Sequence, residues 1–184
     1  MRRELAASSA ARATMPVSAS ELAIRRVLEV CPELAVVDDI ARGSFTEGGF
    51  AIDEELSRTW SRIWVASLAS GEIVAFLIAW HVADELHVLN VATALHMRRR
   101  GVATAIMNEA LAYARQSRVR IVLLEVRRSN RAAIRLYRTL GFSAMGLRPK
   151  YYSNDGEDAV EMVISLDPAT GAIVPGRDEV RIES

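Results

Sequence analysis

"LLEVRRSNRAAIRLYRTLGF", residues 123–142, places one carboxylate, Glu125, in an otherwise apolar run and then spaces five arginines around a single tyrosine, Tyr137. The run starts at Arg120 ("RIVLLEV", 120–126), and its length and branched residues predict a strand. Asn130 can cap a helix over 130–140 and Gly141 can end it. Ile134, Tyr137 and Leu140 then share helical spacing, so a core position competes with a chemical role for Tyr137. Glu125 stands near the C-terminal end of its strand, where open α/β sheets place a ligand crevice. There it is either a proton acceptor or one half of an ion pair with a neighbouring arginine.

Working outward, apolar runs and alternation predict strands near 22–28, 62–68, 73–81, 86–93, 142–147 and 158–166 as well. "ASGE" at 69–72 reads as a hairpin turn. Helices are expected at 32–42, with Pro32 in the first turn and Leu34, Val37 and Ala41 on one face, and over a short stretch at 53–60. A longer one covers 101–117, with Val102, Ala105, Ile106, Ala110 and Ala114 on one side. The order is β, α, α, three strands, then α, β, α, β, β. Strand 86–93, helix 101–117 and strand 120–126 make a βαβ unit with parallel strands. The fold class is therefore α/β, in the sense of an α+β mixed sheet.

The 184 residues suit one core rather than two. That core is expected over 20–166, between an N-terminal tail, 1–19, and a C-terminal tail, 167–184, where periodicity is lost. Met15 is a second candidate start. The apolar stretch after Arg2 and Arg3 is broken by Ser8, Ser9 and Arg12, which argues against a secretory signal. No run reaches the roughly 20 apolar residues that span a bilayer. The single cysteine, Cys31, excludes an internal disulfide and suits a reducing, cytoplasmic setting; it reads as a small buried hydrophobe. Between His96 and Lys150 there are thirteen Lys/Arg against two acids, although the net charge is zero. Such a half faces a polyanion or is a set of solvated helix faces. Nucleic acid would call for interleaved exposed aromatics, which the basic half lacks. His81, His87 and His96 have no metal-ligand spacing, so no metal is expected.

In "MRRRGVATAIM" (97–107), three arginines lead into a glycine at the first turn of a helix. Free N–H groups and the helix dipole there suit a pyrophosphate, although a capped helix with solvated arginines fits as well. The stretch "NVATALHMRRRGVATAIMNEAL" resembles the acetyl-CoA segment of the GNAT N-acetyltransferases, Gln/Arg-x-x-Gly-x-Gly/Ala, with Arg98, Gly101 and Ala103 in those places. "LLEVRRSNRAAIRLYRTLGF" and "KYYSNDGEDAVEM" resemble the RimI branch of that family, the ribosomal-protein-alanine N-acetyltransferases, and the likeness spans about 20–166.

The resemblance implies a central mixed sheet of about seven strands flanked by about four helices, and acetyl-CoA as co-substrate. It implies that Glu125 is the proton acceptor and Tyr137 the general acid. Acetyl transfer to an amine needs those roles, because an α-amino group with a pKa of about 7.7–8.0 is largely protonated at neutral pH. It also implies cofactor contacts from the bulged strand at Val91, Ala92 and Thr93, from Arg98, Arg99, Arg100, Gly101, Val102, Ala103 and Thr104 around the pyrophosphate, and from Asn130. Tyr151 and Tyr152 are the implied acceptor-binding residues. The implied acceptor is the N-terminal alanine of a small-subunit ribosomal protein.

Ala103 stands where the family often has a second glycine, and Thr93 replaces a usual valine. "GSFTEGGFAIDEELSRTW", which should line the acceptor groove, departs from the RimI pattern. Another amine (a lysine side chain, a polyamine or an antibiotic) is therefore the alternative acceptor. A non-catalytic acyl-CoA-binding module is the third reading, against which the presence of both Glu125 and Tyr137 argues.

Overall fold

The longest apolar run, Ile73–Trp80, forms a strand inside the sheet and is covered on both faces. The computed structural model describes residues 21–29, 34–45 and 52–182. Its elements are β1 (Leu22–Val27), α1 (Ala35–Arg42), α2 (Ile52–Ser57), β2 (Ser61–Leu68), β3 (Ile73–Val82), β4 (Glu85–Thr93), α3 (Val102–Gln116), β5 (Ile121–Arg127), α4 (Arg131–Thr139), β6 (Ser143–Arg148), β7 (Ala159–Leu166) and β8 (Ile173–Val174). The strands lie in the order β1-β2-β3-β4-β5-β7-β6, with β8 on β7. Among the described strands only β4 and β5 pair in parallel, and α3 crosses between them. Cys31, Pro32 and the expected N-terminal tail lie outside the described residues.

One core lies between the sheet and α3 and α4. Leu86 and Val88 of β4 and Leu124 and Val126 of β5 meet Ile106, Met107, Ala110 and Leu111 of α3 there. On the opposite face, Ile63, Val65, Phe76 and Ile78 pack against Val37, Ile40 and Ala41 of α1 and Ile52 of α2. Ile63–Ala66 of β2 and Ile73–Ala79 of β3 are unbroken buried apolar runs because both faces are covered there. Phe76 is fully buried, and truncating such a side chain to alanine costs about 3–5 kcal/mol.

The helix boundaries follow from local chemistry. Asn130 Oδ1 accepts the Ala133 N–H at 3.1 Å and starts α4. At its end Gly141, at φ +98°, lets Phe142 N–H return to the Tyr137 carbonyl at 3.0 Å. This Schellman closure fixes Tyr137 and Phe142 against each other, with ring centroids 5.8 Å apart.

The segment after Leu166, expected to be a tail, is docked on the sheet. β8 pairs with β7 and makes an eighth strand where about seven were expected. Asp178 Oδ1 accepts the Ala144 N–H at 2.8 Å, its other oxygen pairs with Arg138, and Glu179 N–H donates to the Ala144 carbonyl at 2.8 Å. Val180 and Ile182 pack against the core. These bonds cover the outer edge of β6, and side-chain-to-backbone pairing of this kind leaves no hydrophobic period to read. Among the described residues, no helix is long and apolar enough to cross a membrane.

Candidate active site

The parallel pair β4–β5 runs only from Glu85–Ile121 to Val88–Leu124. Past that point β4 stays with β3, while β5 stays with β7 as far as Arg127–Ala159. A bulge sits at the parting: Ala79 pairs with Val88 and Ile78 with Asn90, which leaves Leu89 as the extra residue. Bulges bend a strand and increase its twist, which turns β4 away from β5. The result is a wedge whose β4 side, Leu89–Thr93, and β5 side, from Glu125 on, have no strand partner across the gap. Val91, Ala92 and Thr93 lie on its β4 side, and strand backbone without a β5 partner there suits an amide-bearing pantetheine arm.

The anion end of the wedge is the turn into α3. The chain enters the left-handed region at Arg99 (φ 63°) and again at Gly101 (φ 84°). For a non-glycine such as Arg99 this costs on the order of 1–3 kcal/mol. A Cβ at Gly101 would meet nothing within 4 Å, so glycine serves the turn and the space above it is open. Val102, Ala103 and Thr104 begin α3 with N–H groups that have no intrahelical acceptor. Arg98 is a brace: its Nε donates to the Thr93 carbonyl at 3.1 Å and its Nη2 to Ser44 Oγ at 3.1 Å. Thr93 Oγ1 is buried with no hydrogen-bond partner. An orphaned hydroxyl at the strand end, open space over a left-handed glycine and unpaired N–H groups together fit the polar arm and pyrophosphate of acetyl-CoA.

Glu125 is the first β5 residue past the parting. Its side chain faces away from Leu124 and Val126, which belong to the core under α3 and α4. It is 19% exposed, and Arg148 Nη1 lies 3.2 Å from its Oε1. Of the two outcomes weighed for Glu125, the arginine pairing is present. Directly across the antiparallel β5–β7 pair stands Glu161, and Arg148 Nε reaches its Oε2 at 3.5 Å. Burial alone would lower the Arg148 guanidinium; Glu125 and Glu161 outweigh that and hold it above its ordinary value.

Tyr137 comes from the other face. It is buried on α4 with its phenol pushed up to about 12, chiefly by burial, with Tyr152 adding to the effect. Tyr152 is likewise pushed up to about 12 by burial, against the pull of Arg127, with Tyr151 and Glu125 adding to the rise. It stacks edge-on with Tyr151 at 5.3 Å, and the Arg127 guanidinium lies 3.8 Å from the centroid of its ring. Arg127 also donates to Asp155 Oδ2 at 2.9 Å, Glu157 Oε2 at 2.9 Å and Asn154 Oδ1 at 2.8 Å. Glu157 Oε1 accepts the Ser129 N–H at 2.6 Å, which ties the tyrosine loop to the start of α4.

Arg127, Arg148 and Glu161 escaped the sequence reading. Glu161 carried a signal, since it alternates between buried Val160 and Met162 as Glu125 does between Leu124 and Val126. Arg148 carried none, because its reach across two strands depends on register. Asn130 spends Oδ1 on the helix cap, which leaves its amide nitrogen for a ligand. The three histidines have structural partners: His81 meets Tyr113 Oη at 2.7 Å, His87 pairs with Glu85 and His96 with Glu72. Among the described residues no group of three or more His, Cys, Asp or Glu could hold a metal ion.

Residues 31–142 match the acetyltransferase (GNAT) family. The [ribosomal protein bS18]-alanine N-acetyltransferase of Escherichia coli (strain K12) is 36% identical over 99 residues, 53% of this chain and 67% of that protein. The N-alpha-acetyltransferase RimI of Mycobacterium tuberculosis is 41% identical over 78 residues, 42% of this chain and 46% of that protein. The crystal structure of the ribosomal-protein-S18-alanine N-acetyltransferase from Escherichia coli shares the fold, with a TM-score of 0.68 and 23% identity over 85% of this chain and 97% of that one. With the family match covering more than half of its length and the sheet parting beside a built anion turn, the chain belongs to the GNAT acetyltransferases and is an acetyl-CoA-dependent N-acetyltransferase.

Proposed function

We propose that the protein acetylates the N-terminal α-amino group of another protein, with the N-terminal alanine of a small-subunit ribosomal protein as the target. The observation that carries the reading is the position of Glu125 as the first β5 residue beyond the last β4–β5 pair. A carboxylate there meets an amine that enters the wedge from the face opposite α3 and α4. The names borne by the Escherichia coli and Mycobacterium tuberculosis relatives support the choice of an α-amino acceptor.

Glu125 takes one proton from the incoming ammonium, and the freed lone pair attacks the thioester carbon. Unpaired backbone along Val91–Thr93 receives the carbonyl oxygen as charge gathers on it. Tyr137, neutral at working pH, gives its proton to the sulfur as the C–S bond breaks. The second proton lost by the nitrogen, as the amide forms, restores the phenol, and the one on Glu125 leaves to water. One proton is released per turnover. Tyr151 and Tyr152 flank the acceptor's first residues, and Arg99, Arg100 and the first turn of α3 hold the pyrophosphate.

Turnover of acetyl-CoA against a peptide panel tests this. The panel contains a free N-terminal alanine peptide from the organism's own small-subunit ribosomal protein, an N-blocked lysine peptide and spermine. Only the first should be acetylated, and Glu125→Gln should lower its kcat by about 10²–10⁴-fold. Acetylation of the lysine peptide or spermine instead would replace the acceptor. CoA binding with no acceptor turned over would favour an acyl-CoA-binding module.

A further inference from the structure

Glu125 and Glu161 face each other across β5 and β7 on an open part of the sheet, and Arg148 stands between them. Two like charges directly opposite on antiparallel strands repel. The usual remedy is an arginine that forks onto one carboxylate with two parallel N–H bonds. Here the guanidinium is divided: Nη1 meets Glu125 Oε1 at 3.2 Å and Nε meets Glu161 Oε2 at 3.5 Å. The approach to Glu125 falls on Oε1. Gly146, paired with Glu161 across β6–β7, has no side chain to compete for the space, and the Glu161 carboxylate lies 3.4 Å from where its Cβ would be. The Arg148 guanidinium is also 5.7 Å from the ring centre of Tyr151, so the trio borders the acceptor side of the wedge.

We propose that Glu161 is a positioning residue for the reaction: by holding Nε of Arg148 it orients the guanidinium so that only one nitrogen reaches Glu125, which leaves Glu125 Oε2 free to receive the amine's proton. This rests on Glu125 being the base. Removing Glu161 alone lets Arg148 turn and close on both oxygens of Glu125. Removing Arg148 alone leaves two carboxylates opposed, which pushes Glu125 off its position. Removing both restores a lone carboxylate with no rival.

Kinetics of Glu161→Gln, Arg148→Gln and the double variant, on the alanine-terminated peptide, test the arrangement, with Glu125→Gln as the reference. Each single variant should lose about tenfold in kcat, as coupled neighbours do, while KM for acetyl-CoA stays put. The double variant should recover to near the wild-type kcat. A double variant as poor as the product of its singles overturns the proposal, as does wild-type kcat in Glu161→Gln. The ¹⁵N-labelled Nε–H resonance of Arg148 reads the pairing without any acceptor. In the wild type it should ignore Glu125→Gln; in the Glu161→Gln background it should respond to it. A resonance indifferent to Glu161→Gln overturns the shared pairing. If the resonance behaves as expected but Glu125→Gln keeps wild-type kcat, the base assignment fails, and with it the catalytic purpose of the trio.

Discussion

Val88 and Leu124 are the last residues at which β4 and β5 pair. A sheet that stayed closed beyond them would put a layer of backbone between Tyr137, in the core under α3 and α4, and Glu125, on the opposite face. The parting removes that layer at one place. In the proposed reaction, groups from both faces then act on one set of substrate atoms, Tyr137 from the helix side and Glu125 from the open side. Leu89, the bulge residue, is therefore as much a part of the site's construction as the side chains that line it.

The Tyr137 phenol should dominate the alkaline behaviour of the fold. An unfolded tyrosine titrates near 10, and the folded one is pushed up to about 12 by burial. Between those values the native state keeps a proton that the unfolded state has lost. Stability from this group is full below pH 10 and falls as pH rises through 12, by about 2–3 kcal/mol. Urea midpoints between pH 9 and 12 should fall more steeply for the wild type than for Tyr137→Phe. Tyr152 has a similar shift but is only half-buried, so Tyr152→Phe should flatten the curve less. At neutral pH, Tyr137→Phe should lower kcat by about 10²–10⁴-fold with binding of acetyl-CoA intact.

Local pattern made most of this fold legible. The seven strands and four helices foreseen fall within a few residues of those observed, because β3 is a long continuous apolar run, β2 has a shorter one at its centre and α3 has a clean buried stripe. The parallel βαβ unit was legible for the same reason. What the pattern could not show was anything set by register: that pairing stops at Val88–Leu124, that Glu161 stands opposite Glu125, or that Arg148 reaches both. The contacts of Arg98 to Ser44 and the Thr93 carbonyl were likewise out of reach of a charge count. The docked C-terminal segment was missed because its anchors are Asp178 and two backbone groups of Ala144.

Gly101→Ala should separate backbone strain from steric fit. At φ 84° an alanine costs on the order of 1–2 kcal/mol, yet its methyl would meet nothing within 4 Å. For a chain of this size the loss should lower Tm by about 2–4 °C per kcal/mol. The methyl enters the open space assigned to the pyrophosphate, so KM for acetyl-CoA should rise more than kcat falls. A variant with a lowered Tm and an unchanged KM would show that the space over Gly101 is not used by the cofactor.

Asp178→Ala tests whether the C-terminal segment is a structural part of the sheet. It leaves the Ala144 N–H without its acceptor and Arg138 without its partner. Arg138 and Asp178 are both well exposed, so the ion pair itself contributes little. The unsatisfied N–H should set the cost, at about 1–3 kcal/mol. Urea unfolding should report that loss, and hydrogen exchange should speed up across β6 while kcat stays near wild type.

Arg127→Met should loosen the acceptor loop without touching the cofactor end. Arg127 binds Asn154, Asp155 and Glu157 and lies against Tyr152, two residues beyond Glu125 on the same strand. Methionine keeps some of the contact with the ring but supplies no donor. Three acceptors then lose their cation, and Glu157 keeps the Ser129 N–H. KM for the peptide should rise about tenfold or more, consistent with loss of a hydrogen-bonded charge, while KM for acetyl-CoA holds. The same clamp predicts an acid limit. Asp155 is held low by the Glu157 N–H and by Arg127; for Glu157, burial would raise the carboxyl, but Ser129 and Arg127 outweigh it and hold it low. Depressed carboxylates contribute order above their unfolded pKa and lose it as pH falls through the folded value. Exchange at residues 151–157 should therefore speed up below about pH 4 in the wild type. In Arg127→Met it should already be fast at pH 7, and a loop that stays protected in that variant would show that Tyr151 and Tyr152 are held by something other than Arg127.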